Sequence, residues 1–364
     1  MASVNLLYGA HNGTNSNPYY LGKMPLIPPV DQPGPYAGAI KETLDPDHRT
    51  LDIRGSTLLT AAMIYDQKNT AVSFVLQQYA IEVGGSLTQI GEDLTQLLTH
   101  YRDTHSVDNW IACSADHVYV ADMFCIYIYA YGTNGLTYKG TFSLASTSSS
   151  IWGLKLDPSG QYLCLKLCGD PYSILACHMH GDQLEPLGQC FTQGNAQIAD
   201  YAFSPDGSRM YVSAYQGIGW ADFKNGGFTP NTITTDFWPS TVTNQALGLA
   251  ISSSGKYLYV SDVFPDDGSD GEPVIHIQSF SLDPTTGAPT YLGQSDPLGN
   301  DGSAWSTIIL APDDTHIYAA GTGLYLYTYQ VEKDGRASTQ PYEPTSLSVA
   351  AGNIVQMKIV PVEA

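Results

Sequence analysis

The sequence predicts an all-β fold, a seven-bladed β-propeller of four-stranded blades, and three observations carry that prediction. The composition is poor in charge and rich in strand and turn formers, a hairpin phrase returns five times at a nearly constant interval, and each chain end supplies what the other lacks. Of 364 residues, 43% are hydrophobic and only 14% charged, against about a quarter charged in an ordinary globular chain. The 25 tyrosines suit half-buried strands, while 35 glycines and 22 prolines mark the turns between them. Long helices would need far more Glu, Lys and Arg on their solvent faces.

The hairpin phrase spans Trp110 to Ala121, Leu154 to Leu165, Tyr201 to Val212, Leu249 to Val260 and Ile308 to Ala319. Each copy reads as a strand, a tight polar turn and a second strand with alternating aromatics. The turn positions Asp116, Gly160, Gly207, Gly255 and Asp314 lie 44, 47, 48 and 59 residues apart, close to the period of a propeller blade. The long last interval holds an insert, Pro265 to Pro273, expected as an exposed acidic loop between the second and third strands of its blade. It lacks the spacing and terminal Glu of a calcium-binding EF-hand loop. After each hairpin come a third strand and a weaker outer one, as in Cys125 to Tyr131 followed by Leu136 to Phe142.

Thr57 to Gln89 repeats the pattern less clearly and makes a sixth blade. The seventh is assembled from the ends: Asn353 to Pro361 has the character of a first strand, and Val4 to Ala10 that of a second. Their pairing closes the ring and removes two exposed sheet edges. Leu94 to Asp103 places apolar residues at helical spacing, so a short helix and an irregular outer strand are both open there. One domain over residues 1–364 is expected.

Fifteen basic against thirty-five acidic residues give a formal charge of −20, a field that repels nucleic-acid backbones and anionic membrane surfaces. No apolar run reaches the roughly 18–20 residues of a membrane span. Met1 to Asn5 does not read as a signal peptide. The sequon Asn12-Gly13-Thr14 and the low lysine content fit a secretory protein whose leader has been removed, with a cytoplasmic location as the alternative. Six cysteines stand in mid-chain without a C-x-x-C pair, which argues against structural zinc. Buried free thiols compete with one disulfide: a turn at Gly169 to Tyr172 would set Cys164 opposite Cys177.

The phrase Ser204-Pro-Asp-Gly with Tyr211-Val212, and its variants at Asp157, Ser252 and Ala311, resembles the seven-bladed lactonase-like propellers. That group includes 6-phosphogluconolactonase-type proteins and fungal relatives. The matching residues serve turn and strand, so the resemblance speaks to fold before reaction. In size, low charge and aromatic content the chain is also similar to the fungal propellers that act as hetero-Diels–Alder cyclases of tropolone sesquiterpenoid pathways. The resemblance implies first a cofactor-independent cyclase of secondary metabolism, second a lactone hydrolase and third a non-catalytic binding propeller.

In a propeller, pockets form where the segments entering the first strands meet the loops between second and third strands. These segments supply His11, His105, Asn109, Gln197, Tyr201 and Asn244 as candidate catalytic donors or bases. They supply Trp110, Trp152, Tyr172, Tyr215, Phe264 and Trp305 as candidate substrate-binding aromatics, with Asp122, Asp200 and Asp262 close by. Aromatic faces with neutral donors suit a small apolar or conjugated organic substrate whose carbonyl gains charge in the transition state. A cycloaddition needs placement and polarisation, no nucleophile. A lactonase needs an activated water, with His11, His105 or Asp200 as base. Inner-ring packing is the competing role for each Trp.

His178 and His180 share one strand face at a spacing that can bind a metal, but they fall on a third strand away from the channel and read as surface histidines. No metal or cofactor is expected. The serine-hydrolase, zincin and nucleotide-binding fingerprints are missing from the sequence.

Overall fold

A computed structural model of the protein describes residues 3–13, 21–26, 40–42, 48–65, 71–83, 86–102, 110–133, 135–144, 149–169, 171–191, 197–214, 217–230, 245–264, 274–296, 307–320, 325–339, 345–346 and 352–363. Among them the regular structure is all strand, in seven sheets. The first sheet holds β1 (Ser3–Gly13), β2 (Leu21–Leu26) and β3 (Ile40–Glu42). The second holds β4 (His48–Arg54), β5 (Thr57–Tyr65), β6 (Ala71–Ile81), β7 (Leu87–Gln89) and β8 (Leu94–Arg102). The third runs through β9 (Trp110–Cys113), β10 (His117–Ala121), β11 (Cys125–Gly132) and β12 (Gly135–Ser143). The fourth comprises β13 (Ser150–Leu156), β14 (Tyr162–Cys168), β15 (Ser173–His180) and β16 (Gln183–Phe191). The fifth comprises β17 (Ile198–Phe203), β18 (Arg209–Ala214), β19 (Gly217–Lys224) and β20 (Gly227–Pro230). The sixth comprises β21 (Gln245–Ile251), β22 (Tyr257–Phe264), β23 (Val274–Leu282) and β24 (Pro289–Gln294). The seventh comprises β25 (Thr307–Leu310), β26 (His316–Ala320), β27 (Tyr325–Gln330) and β28 (Thr345–Ser346), and the last strand, β29 (Gly352–Glu363), returns to β1.

The two chain ends pair antiparallel, with Leu6 opposite Val360 and Tyr8 opposite Lys358. First strands of successive sheets stand side by side: β4 between β29 and β9, β9 beside β13, and β17, β21, β25 and β29 in succession. The step from the fourth sheet to the fifth is made by β14 against β17. The chain of neighbours returns on itself, which is the arrangement of a β-propeller. No helix of the described residues is long and apolar enough to cross a membrane.

The repeated phrase forms its hairpins for a local reason. Gly160, Gly207 and Gly255 have φ of 68°, 70° and 68°, and Asp314 takes the same left-handed position with φ of 58°. Each amide donates back across the turn, to the carbonyls of Asp157, Ser204, Ser252 and Ala311 respectively. The residue opening the turn caps the second strand: Ser204 Oγ accepts from the Arg209 amide at 3.0 Å, and Ser252 Oγ from the Tyr257 amide at 3.0 Å. A side-chain oxygen at that position replaces the partner that the turn denies the backbone.

Alternate side chains of each strand pack into the gaps between sheets, so the core is a set of radial layers. Phe74, Val118, Val120 and Tyr127 fill one layer, and Ile151, Leu163, Leu165 and Cys177 help fill the next. Tyr211 and Tyr259, both buried, also tie blades together, their hydroxyls donating to the Gly287 and Gly335 carbonyls at 3.0 and 2.9 Å.

Two readings left open by the sequence are decided. Leu94–Arg102 is a strand, β8, which pairs with β6 through Leu76 opposite Leu94, because ladder bonds outweigh a short helical apolar pattern. Cys164 and Cys177 form no disulfide: Cys164 faces Ala176, and Cys177 faces Leu163. Cys168 lies outside the β14–β15 ladder, so the register slides by one residue, and a one-residue slip sends a side chain to the other face. Cys164 thus packs toward the fifth sheet and Cys177 toward the third. Cys113, Cys125 and Cys168 are free thiols as well. The acidic insert, 265–273, lies outside the described residues, between β22 and β23.

Candidate functional site

The first strands carry β-bulges toward their N-terminal ends, where the chain enters the ring. The register shifts at Trp152 in β13, at Ala199 in β17, at Arg49 in β4 and at Val355 in β29. A bulge adds a residue and re-aims the side chains that follow. Three residues beyond their bulges, Lys155 and Lys358 occupy matching positions, each inside an otherwise apolar strand.

Each lysine reaches a carboxylate on the next first strand. Lys155 Nζ lies 2.6 Å from Asp200 Oδ1 and donates to the Tyr201 carbonyl at 2.5 Å. Lys358 Nζ lies 2.8 Å from Asp52 Oδ1. Each carboxylate then accepts an amide from the following sheet: Asp200 Oδ2 from Leu249 at 3.2 Å, and Asp52 Oδ2 from Cys113 at 2.8 Å. Two relays of cation, carboxylate and backbone amide therefore stitch three successive sheets each. The Tyr201 amide adds a further donor to Asp200 Oδ1 at 2.8 Å.

Both relays run between first strands, the ones that stand side by side around the ring. Lys358 lies in the field of Asp52, Cys113 and Asp200, from the second, third and fifth sheets. Its side chain is 39% exposed. The Asp52 carboxylate beside it holds the ammonium pKa above the ordinary lysine value, so it stays charged. An ammonium has three donors, and among the described residues only Asp52 accepts one from Lys358.

Cys113, at the same level, is no nucleophile. Burial, and then the Asp52 charge, push its thiol well above the ordinary range, leaving it protonated. Toward the mouth, Lys166 donates to the Ala199 carbonyl at 2.5 Å and stands 5.8 Å from the Trp110 ring centroid.

The residues expected from sequence are distributed unevenly over this site. Trp110, first residue of β9, and Trp152, at the β13 bulge, are half-buried near the mouth. Gln197 is half-buried just before β17. Tyr201 is fully buried and donates its hydroxyl to the Cys164 carbonyl at 2.7 Å, so that group is committed to the wall. Tyr172 is half-buried against the layer between the fourth and fifth sheets. His11 stands in β1 opposite Ile354, and Phe264 ends β22 opposite Val274. His105, Asn109, Tyr215, Asn244 and Trp305 lie outside the described residues.

Sequence reasoning passed over Lys155, Lys358, Asp52 and Lys166. A signal existed: in a chain with only 15 basic residues, Leu154-Lys155-Leu156, Met357-Lys358-Ile359 and Leu51-Asp52-Ile53 each put a charge between apolar neighbours inside a strand. A charge so placed needs a partner across the sheets.

No family model matches the chain, and no curated protein matches it in sequence. Solved structures match it in fold. A 6-phosphogluconolactonase candidate from Bacteroides uniformis superposes with a TM-score of 0.72 at 16% identity, covering 99% of this chain and 100% of that one. The periplasmic gluconolactonase of Pseudomonas aeruginosa gives 0.73 at 15% identity, with 99% of each chain covered. A second candidate 6-phosphogluconolactonase, from Bacteroides fragilis, gives 0.69 at 13% identity, with 98% of each covered. The chain has the lactonase-like propeller fold.

Proposed function

We propose that the protein is a hydrolase that opens a small, hydroxylated or anionic lactone at this site. The observation carrying this reading is the half-exposed Lys358 ammonium, kept charged by Asp52 and left with donors that no other described residue takes, in the field of Asp200. The names of the structural neighbours add fold-level support. Ring opening needs a group that takes a proton from water and a donor for the oxygen that gains charge. Asp200 is the base: its Oδ2 accepts only the Leu249 amide among the described residues. As water oxygen attacks the lactone carbonyl, its proton passes to Asp200, and the carbonyl electron pair moves onto an oxygen held by Lys358. Collapse breaks the ring C–O bond, and the leaving oxygen takes the proton from Asp200. Lys155 positions Asp200, and Trp110 and Trp152 border the mouth.

The test is acid release from glucono-δ-lactone and 6-phosphogluconolactone, followed at constant pH above the spontaneous rate. Lys358→Met is expected to lower kcat on the order of 100-fold, as loss of one oxyanion donor does, with the fold retained by circular dichroism. Rates equal to the uncatalysed blank across a lactone panel would sink the reading. The hetero-Diels–Alder cyclase is the alternative; it leans on Trp110, Trp152 and Trp305, and charged inner strands favour it less than hydrolysis. A product with the summed mass of two reactants would select it.

A further inference from the structure

A second cluster lies on the two outer strands of the fourth sheet. The hairpin of β15 and β16 turns through Gly181, with φ of 56°, and Asp182, and its register sets His178 opposite Glu185 and His180 opposite Gln183. Side chains two apart on a strand, and directly opposed across a pair, share one face. His178, His180 and Glu185 therefore converge, with ligand atoms all within 4.8 Å of one another. His178 Nδ1 is 2.5 Å from His180 Nε2, and that nitrogen is 3.2 Å from Glu185 Oε2.

The arrangement is held from both sides. Tyr162 lies 5.2 Å from the His178 ring, and its own ring abuts Phe223 at 5.4 Å, giving His178 an apolar wall. At the hairpin tip, Asp182 accepts from His117 Nε2 at 2.9 Å and pairs with Lys139 at 3.9 Å, fastening the turn to the third sheet. Ligands on anchored strands are better preorganised than ligands on loops.

Two imidazole nitrogens at this distance satisfy each other only if one keeps its proton and the other does not. A divalent ion between them takes both lone pairs, and a carboxylate completes a two-histidine, one-carboxylate face. Ligand bonds of about 2.0–2.1 Å in tetrahedral geometry put two nitrogens roughly 3.3 Å apart, a small opening from the observed pair. We propose that His178, His180 and Glu185 form a surface site for a divalent transition metal, with water in the fourth position. Imidazole donors select zinc, nickel or copper over calcium and magnesium, and the net charge of −20 favours any cation. The cluster sits on the two outer strands of its sheet, with β14 between it and Lys155 on β13, so the site is separate from the residues of the proposed hydrolysis.

The test is calorimetric titration of the full chain with zinc chloride in a non-chelating buffer, compared with His178→Ala/His180→Ala and with Glu185→Gln. The wild type is expected to show a saturable zinc site. In the double variant affinity at that site should fall at least about tenfold, and in Glu185→Gln by less, with calcium giving no heat at the same concentration. Copper should give an electron paramagnetic spectrum with two-nitrogen coupling that the double variant loses. Metal-free melting curves of the variants should overlay the wild type. Zinc binding unchanged in the double variant, or no saturation below about 1 mM, would overturn the proposal.

Discussion

Two second strands of this propeller carry nearly the same words, Tyr119-Val-Ala-Asp122 running out of β10 and Tyr259-Val-Ser-Asp262 within β22, yet the two aspartates have different chemistries. Asp122 follows the end of its strand and folds back: Oδ1 accepts the Phe124 and Cys125 amides at 2.7 and 2.6 Å, and Oδ2 accepts the Tyr127 hydroxyl at 3.0 Å. In the sixth sheet the ladder runs on to Phe264 opposite Val274, so the chain beyond Asp262 stays extended. Asp262, also fully buried, keeps the Gln278 amide on Oδ2 at 3.0 Å, while its Oδ1 has no close hydrogen-bond partner among the described residues. Burial raises its pKa well above the carboxylate range. Local sequence put an acid three residues after a tyrosine in each case, and the length of the ladder decided whether it became a turn cap or an interior group whose charge burial disfavours.

The largest effect that probes this contrast is Asp122→Ala. It strips three donors of their acceptor in a buried turn and should destabilise the protein by about 3 kcal/mol in urea unfolding. A loss below about 1 kcal/mol would mean that solvent takes over those donors.

Asp262→Asn should act in the opposite direction. A carboxyl with a raised folded-state pKa contributes stability that is fully present below its unfolded value, and this is lost as pH rises through the folded value. Between the ordinary carboxylate range and that raised value, wild-type stability should fall with pH relative to the Asn variant. By pH 8 the variant should be the more stable by something on the order of 1 kcal/mol. Parallel stability–pH curves for the two proteins would show that the acid is not held neutral.

Asp122→Asn should have the smallest effect, below about 1 kcal/mol, because an amide oxygen can still accept the Phe124 and Cys125 amides. If the loss matched that of Asp122→Ala, the charge, and not the geometry of the cap, would be what the turn requires.

The same division runs through the rest of the molecule. Hairpin positions were legible because a turn is a local event: Gly160, Gly207 and Gly255 take positive φ where the phrase puts them, and Asp314 does so in the fifth copy. The pairing of the chain ends was legible too, since each apolar end segment needed the edge the other offers. The facing of Cys164 and Cys177 was not, because one residue of register separates contact from opposite faces. Nor were the relays between first strands: Lys155 and Asp200 are 45 residues apart in sequence, while Lys358 and Asp52 lie near opposite ends of the chain. Trp110 and Trp152 stand in the first halves of β9 and β13, where the repeat puts the segments that enter a blade.

By itself the sequence determined the strands, their turns, the interval between blades and the meeting of the two ends, since each follows from steric preference and apolar alternation over a few neighbouring residues. Only the tertiary structure decided which charges pair between first strands, which buried acid keeps an oxygen without a partner among the described residues, and which two histidines meet a glutamate. Those outcomes depend on register, bulges and the closing of the ring, which bring together groups that no local preference relates.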